Sequence, residues 1–474
     1  MANLFTNLNL KLNDLYKKII INPDALLPFL IILVGLLSGF AAVSFKVAIH
    51  LFEDLVFYDK TLPFAYNFHF FYIPLICAFF SGLLLYYFFP ESGGGGITQL
   101  KKALYYNYGI IPSKEIIGKF LVALLCIGGG MAVGPEGPTI FICGALGSWI
   151  GKIFHIKRSN IRSLVICGAA GGLSAAFNTP ISGIMFALED LIGNFSTQII
   201  GSTIIACVLA STLQRLLLGN MPSFVVPKYT LTQPLELFFY LFVGLFCALL
   251  AYFFIKLLLF LKNKISATNV PHKSLYPVIG GLFIGICAIV LPPDITGFNY
   301  ISKQQIKKNE TIEGLKKSAE FRKQEDISEL EEIPHEAQTK FKLFSALKKT
   351  NNDKSVGPAT AVYKQMEDVM TNNLSGKLIL FLLIYKIIAI AICFGAGVPG
   401  GIFAPTIFIG AMAGAVIGYI VNIFVPHLTA DYGAYALVGM GAFFAAVMKS
   451  PITSILIIFE MTHNYEIILP LMLA

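Results

Sequence analysis

Residues 134–142 read Gly-Pro-Glu-Gly-Pro-Thr-Ile-Phe-Ile, and residues 401–409 read Gly-Ile-Phe-Ala-Pro-Thr-Ile-Phe-Ile. The leading glycine and the closing PTIFI are shared, 267 positions apart. Between them the copies differ in one telling way: Glu136 stands where the second copy has Phe403. A lone carboxylate at a Gly/Pro-broken helix start, inside an otherwise apolar run, is expensive to keep in a membrane-like setting. Glu136 is therefore the first candidate functional residue.

The repeat extends on both sides of the shared pentapeptide. At the same offset of 267, Gly128, Gly130, Gly147, Ile150 and Gly151 also fall on identical residues. At an offset of 271, Gly168, Pro180, Ile181, Ile184 and Glu189 fall on Gly439, Pro451, Ile452, Ile455 and Glu460. Single matches of small residues mean little in apolar sequence, but a verbatim pentapeptide with flanking glycines in register points to an internal duplication. Many transport proteins are built from such repeats in inverted topology, with their site near the bilayer midplane.

Composition sets the class. The chain is 56% hydrophobic and only 13% charged, against about a quarter charged in soluble domains. Apolar runs at Leu26–Ser44, Phe70–Phe89, Leu237–Phe260 and Tyr276–Leu291 approach or exceed the roughly 20 residues that span a bilayer. The expected fold is all-α: a polytopic membrane protein with tilted and broken helices in an inverted internal repeat. The first apolar run is too long for a signal-peptide core and keeps its place as a mature span. The eight cysteines lie in apolar segments with no CxxC pair, and the seven histidines are scattered without HExxH, so no metal or cofactor is expected. The net charge of +8 is spread over loops. Without a clustered basic face a nucleic-acid partner is excluded. Lys101, Lys102, Lys152, Lys157, Arg158 and Arg162 are expected on the cytoplasmic side.

Four segments follow. Residues 1–24 read as an amphipathic lead-in able to lie on the membrane surface. Residues 25–300 form a first transmembrane body containing the first repeat. Residues 303–368 carry 13 Lys/Arg and 12 Asp/Glu and read as a solvated, extracytoplasmic insertion. Residues 371–474 form a second transmembrane body. Its last apolar stretch, Ile467–Ala474, is far short of a span, which reads as an end before a final helix, natural or through an incomplete sequence.

A helix that starts at mid-membrane exposes its first N–H groups, which is tolerable only where they line a cavity or bind something. Partial positive charge there favours an anion. Three Gly-rich starts qualify: Ser92–Gly96 before Ile97, Gly134–Gly137 before Pro138, and Gly400–Ala404 before Pro405. The bland alternative, glycines that only let helices pack closely, stays open on the residues alone. Beside an anion site, an ionised Glu136 competes for the site and a protonated one withdraws, so it would gate the path and carry a proton; a carboxylate that merely caps backbone N–H groups shares that geometry. Glu189 and Glu460 recur at equivalent ends and read as a structural pair. Asp190, opposite Met461, has no counterpart and is the better candidate for a specific role.

Gly134-Pro135-Glu136-Gly137-Pro138, Gly400-Gly401-Ile402-Phe403-Ala404-Pro405, Ala176-Phe177-Asn178-Thr179-Pro180 and Phe459-Glu460-Met461-Thr462 together resemble the CLC family of chloride channels and chloride–proton exchangers, in its prokaryotic form without cytoplasmic nucleotide-binding domains. The resemblance runs from about residue 25 to 474, apart from the charged insertion. It implies that Glu136 is the external gate and proton acceptor and that Asp190 stands at the internal proton-transfer position. It further implies that anions rest on Gly95, Gly96, Ile97, Glu136, Gly137, Ile402, Phe403 and Ala404, and that the chain assembles as a homodimer with one path per subunit. Three departures stand out. Pro135 replaces the family's usual Arg, Gly95 replaces a Ser or Pro that helps choose the anion, and Asp190 replaces a Glu. The family's pore tyrosine follows the Glu-Met-Thr segment, and no residue here takes that role. The reading is a secondary active transporter exchanging chloride, or a similar small anion, for protons in a bacterial inner membrane. The alternative is a passive gated chloride channel on the same fold. An intramembrane enzyme would need a nucleophile–base or metal pair that the scattered histidines do not offer.

Overall fold

The computed structural model describes residues 26–57, 69–193, 197–219, 224, 226–227, 229, 234–267, 272–297, 358–426 and 430–474. The amphipathic lead-in and most of the charged insertion lie outside these. The described residues form helices joined by loops. In the first body, α1 is Leu27–Phe57, α2 His69–Tyr87, α3 Ile97–Tyr106, α4 Lys114–Gly128, α5 Glu136–Ile153, α6 Arg158–Phe177, α7 Pro180–Phe186, α8 Thr197–Leu218, α9 Glu236–Ser266 and α10 Tyr276–Val290. In the second, α11 is Pro358–Met370, α12 Gly376–Gly395, α13 Phe403–Phe424, α14 Tyr432–Met448, α15 Pro451–Thr462 and α16 Ile468–Leu473. Among the described residues, seven helices are long and apolar enough to cross a membrane. This is an integral, multi-pass membrane protein.

Small residues set the packing distances, as expected where lipid supplies no hydrophobic drive between helices. Gly35 and Gly39, one turn apart on α1, lie against Ala206 and Ala210 on α8; a Cβ on either glycine would come within 2.9 Å or less of that backbone. The pairs α5–α6 and α13–α14 pack in the same way at equivalent places. A Cβ at Gly147 would meet the Leu164 carbonyl at 2.3 Å, and one at Gly414 would meet the Tyr435 carbonyl at 2.1 Å. Gly168 against Cys143 and Gly439 against Gly410 repeat the contact, both at 2.3 Å. These four helices form the buried heart of the molecule.

The duplication is visible in the backbone. Gly134 and Gly401 each donate an N–H to the other's carbonyl, both at 2.7 Å, as an isolated antiparallel bridge. The chains run opposite ways there, so α5 and α13 leave the bridge in opposite directions: the repeat is inverted. Helix α13 has 22 residues against 18 in α5, matching the step in offset from 267 to 271 seen in the sequence. Beyond it, α6 and α14 both end on a left-handed residue, Asn178 at φ 61° and Lys449 at φ 60°, and α7 and α15 both begin on proline.

The two carboxylates paired by the repeat cap each other's half. Glu189 accepts from the N–H groups of Ile452 and Thr453, at 3.1 and 2.7 Å, and from the Thr453 hydroxyl. Glu460 accepts from the N–H groups of Ile181 and Ser182, at 3.0 and 2.7 Å, and from the Ser182 hydroxyl. Each carboxylate thus satisfies the orphan donors at the start of the other repeat's helix. The symmetry then breaks. After α7 the chain makes a π-helical turn, Ala187–Ile192, and closes with Gly193 N–H on the Leu188 carbonyl, whereas His463 N–H closes on Phe459. The wider turn takes one extra residue in the first repeat, next to Glu189, where Asp190 stands; such turns concentrate at functional sites.

The charged stretch ends earlier than its composition suggests. Its last eleven residues lie in α11, where Gln365, Met366 and Asp368 are buried, so they belong to the packed body rather than to a solvated insertion.

Substituting Glu189 or Glu460 by Ala leaves two backbone donors and a hydroxyl unmet. We expect a loss of about 1.5–3 kcal/mol, measured as earlier thermal unfolding in detergent, with Gln less harmful because it keeps one acceptor oxygen. An Ala variant as stable as the parent would refute the cap.

Candidate functional site

Three Gly-rich helix starts meet at Gly137. A Cβ there would lie 2.1 Å from the Gly95 carbonyl and 2.9 Å from the Gly401 Cα. At Gly96, which caps α3 with φ 92°, a Cβ would lie 2.3 Å from the Gly137 carbonyl. Glycine is required at both positions, by contact at the first and by contact and conformation at the second. The loops 92–96, 134–137 and 400–404 are thereby brought backbone to backbone. Gly95 is different. A Cβ there would meet only the Phe394 ring at 3.5 Å and the Gly400 carbonyl at 3.6 Å, ordinary contact distances. Ile97 opens α3 with its side chain buried.

Glu136 is 2% exposed. One carboxylate oxygen accepts the Ala404 N–H at 3.3 Å, on the start of the other repeat's helix. The other accepts the Tyr363 hydroxyl, from α11. Lys46 on α1 acts on the same carboxylate electrostatically. Next to Ala404, the N–H groups of Ile402 and Phe403 have no acceptor among the described residues. Phe403 is held by its side chain instead. Its ring lies 4.4 Å from that of Phe444, edge-on, 5.4 Å from Phe177 and 6.5 Å from Phe186. An aromatic clamp from α6, α7 and α14 thus fixes the helix start while leaving its amides undirected toward the protein.

Two side chains that sequence reasoning passed over complete this region. Lys119 on α4, fully buried, donates to the carbonyls of Ser92 and Gly94 at 3.0 and 2.6 Å and to Gln99 at 3.0 Å. It holds the 92–96 loop from its carbonyl side and places a positive charge behind it. Its signal was a lone Lys in the apolar run Ile116–Gly128, a costly residue of the same kind as Glu136. Tyr363 was hidden in a stretch whose composition reads as solvated.

Asp190 lies apart from this cluster, at the π-helical turn. Its Oδ1 pairs with Lys101 Nζ at 2.7 Å and accepts the Ser450 hydroxyl at 3.3 Å. Its Oδ2 is buried without a hydrogen-bond partner among the described residues. The structure therefore places Glu136, Gly137, Gly95, Gly96, Ile97, Ile402, Phe403 and Ala404 together and Asp190 separately. Among the described residues no group of three or more His, Cys, Asp or Glu side chains could hold a metal.

Comparisons with known proteins bear on the family and the fold. The family profile described as voltage gated chloride channel matches residues 77–474. The chain is 29% identical over 361 residues to the H(+)/Cl(-) exchange transporter ClcA of Vibrio parahaemolyticus, covering 75% of this chain. It spans 64% of that relative's length. With ClcA of Vibrio cholerae the identity is 29% over 457 residues, 94% of this chain and 84% of the relative. The crystal structure of a slow cyanobacterial Cl-/H+ antiporter superposes with a TM-score of 0.72 at 21% identity, covering 94% of this chain and 92% of the other, which shows the fold.

The contact geometry separates two neighbouring glycines. Gly95→Ser is expected to fold normally and to change the order of anion preference in liposome flux assays. Gly137→Ala is expected to abolish folding or flux. A well-folded, active Gly137→Ala protein would contradict the close approach of the three loops.

Proposed function

The chain belongs to the voltage-gated chloride channel family, and we propose that it is a secondary active transporter exchanging chloride for protons, the activity in the names of its Vibrio relatives. The observation that carries the proposal is the position of the Glu136 carboxylate. It bonds the Ala404 N–H at the α13 start, taking a donor that an anion would otherwise use, beside the free amides of Ile402 and Phe403. A carboxylate and a chloride then exclude one another by charge and by competition for the same donors.

The steps follow from that competition. Ionised, Glu136 occupies the helix start and closes the path. Protonated, it loses its charge-assisted bonds, withdraws, and leaves the amides to the anion. Glu136 is thus both gate and external proton acceptor. The anion rests on the amides of Ile402, Phe403 and Ala404 and on the loops at Gly95–Ile97 and Glu136–Gly137, bound by backbone dipoles without direct ligation by a full charge, which lets it leave as well as enter. Asp190 serves as the internal proton-transfer group, with its unpartnered Oδ2 as the oxygen that takes the proton. The membrane is a bacterial inner membrane, and the assembly is a homodimer with one path per subunit. The protein carries out transport rather than enzymatic chemistry.

The second reading, a passive gated chloride channel, draws on one contact: the Lys101 ammonium, 2.7 Å from Asp190, favours the ionised carboxylate, whereas burial, the larger effect, favours its protonated form and with it proton transfer.

Reversal potentials in reconstituted liposomes separate the two. Exchange requires the potential to shift with a pH gradient at fixed chloride, and an anion current without that shift would leave the channel reading. Glu136→Gln is expected to lose proton flux and keep anion flux. Asp190→Asn should do the same if Asp190 transfers the proton, and unchanged coupling in that variant would remove it from the path.

A further inference from the structure

Lys386, on α12, is 5% exposed. A buried lysine is normally paired with a carboxylate or with carbonyl oxygens, as Lys119 is. Lys386 has neither among the described residues. Its ammonium lies over two ring faces instead, 5.2 Å from the centre of Phe408 and 5.7 Å from that of Tyr385. Ring faces attract a cation but accept none of its N–H donors in the way an oxygen does. The charge is buried, and its hydrogen bonds are unmet among the described residues.

The same side chain lines a cavity of about 40 Å³, room for more than one water-sized particle, since one water needs roughly 10–15 Å³ on the same measure. The other walls include Gly134, Pro135, Ala404 and Tyr363. Gly134 and Pro135 lead directly into Glu136, Ala404 donates to its carboxylate, and Tyr363 donates to its other oxygen. The cavity therefore borders the gate. It surrounds the loop that precedes α5, while α5 runs away from it toward Lys152 and the basic loops expected in the cytoplasm. That puts it on the outer side of Glu136.

We propose that this cavity is a small-anion site outside the gate, in which Lys386 supplies the positive charge. The inference rests on the anion-transport reading above and adds a station to it. The occupant is a small monovalent anion, because the cavity holds little more than one such ion and offers one cation. Tyr363 links the station to the gate. Its single O–H serves one acceptor at a time, so while Glu136 is ionised the hydroxyl is committed to the carboxylate. Once Glu136 is protonated and moves, the same hydroxyl is free to turn to the anion. Release of the carboxylate and reception of the next anion then use one donor.

The test is anomalous diffraction from crystals grown in bromide. Wild-type protein is expected to show bromide in the cavity within hydrogen-bond distance of Lys386 Nζ, competed away by chloride. Lys386→Met should lose that peak and keep bromide at the Ile402 and Phe403 amides; Lys386→Arg should keep both. In liposomes, Lys386→Met should raise the external chloride concentration for half-maximal flux about tenfold, a difference of about 1.4 kcal/mol, with Arg restoring it. Bromide at the Ile402 and Phe403 amides of the wild type without any in the cavity would overturn the inference and leave the transport reading intact, and needs no variant to fold. A cavity peak that persists in Lys386→Met would overturn the role of Lys386. Absent proton coupling with the cavity peak present would count against the exchange reading alone.

Discussion

A helix that begins inside a membrane has N–H groups with neither water nor a preceding turn to accept them, and the way this chain meets that constraint organises everything else. Some of the donors are used internally. The Gly134–Gly401 bridge uses two, and the carboxylates of Glu189 and Glu460 use two each at α15 and α7. Those left over among the described residues, at Ile402 and Phe403, are the donors proposed to hold the anion. Glycine dominates this region because the close approach of three loops leaves no room for side chains at Gly96 and Gly137, so the backbone itself is what the loops present.

Departures from the internal symmetry mark the working parts. Where the repeat is faithful, as in the glycine contacts of α5–α6 and α13–α14 or the reciprocal caps, it builds scaffold. Where it fails, the residues proposed to carry the chemistry stand. Glu136 faces Phe403, so one helix start carries a carboxylate and the other an aromatic anchor clamped by Phe177, Phe186 and Phe444. The π-helical turn puts Asp190 beside a structural carboxylate without displacing it. Lys119 and Lys386 fall on each other at the 267 offset, and here the symmetry breaks in the surroundings: Lys119 is met by backbone carbonyls, Lys386 by ring faces.

The fold was legible because its decisive elements have local signatures. The duplicated PTIFI, the Gly-Pro loops and the recurring Glu189 and Glu460 all show in one reading, and they correctly gave the helix starts, the inversion and the role of the paired carboxylates. What stayed hidden depended on contacts between residues distant in sequence. Tyr363 reaches Glu136 across 227 positions from a stretch whose charge pattern reads as solvent-facing. Lys119 is satisfied by backbone carbonyls, and a carbonyl has no sequence signature. Asp190 could be singled out by its lack of a repeat partner, but its pairing with Lys101, 89 positions away, could not. That pairing changes the chemistry expected of it.

The reciprocal caps also set a timetable for making the protein. The start of α7 is completed by Glu460, which lies 278 residues later in the chain; at translation rates of about 5–20 residues per second, roughly 15 to 55 seconds pass between synthesis of the two. Through that interval the backbone donors at the start of α7 lack the carboxylate that meets them in the finished fold. The later of the two capping carboxylates closes the first half, so a ribosome that stalls shortly before residue 460 leaves both repeats unfinished.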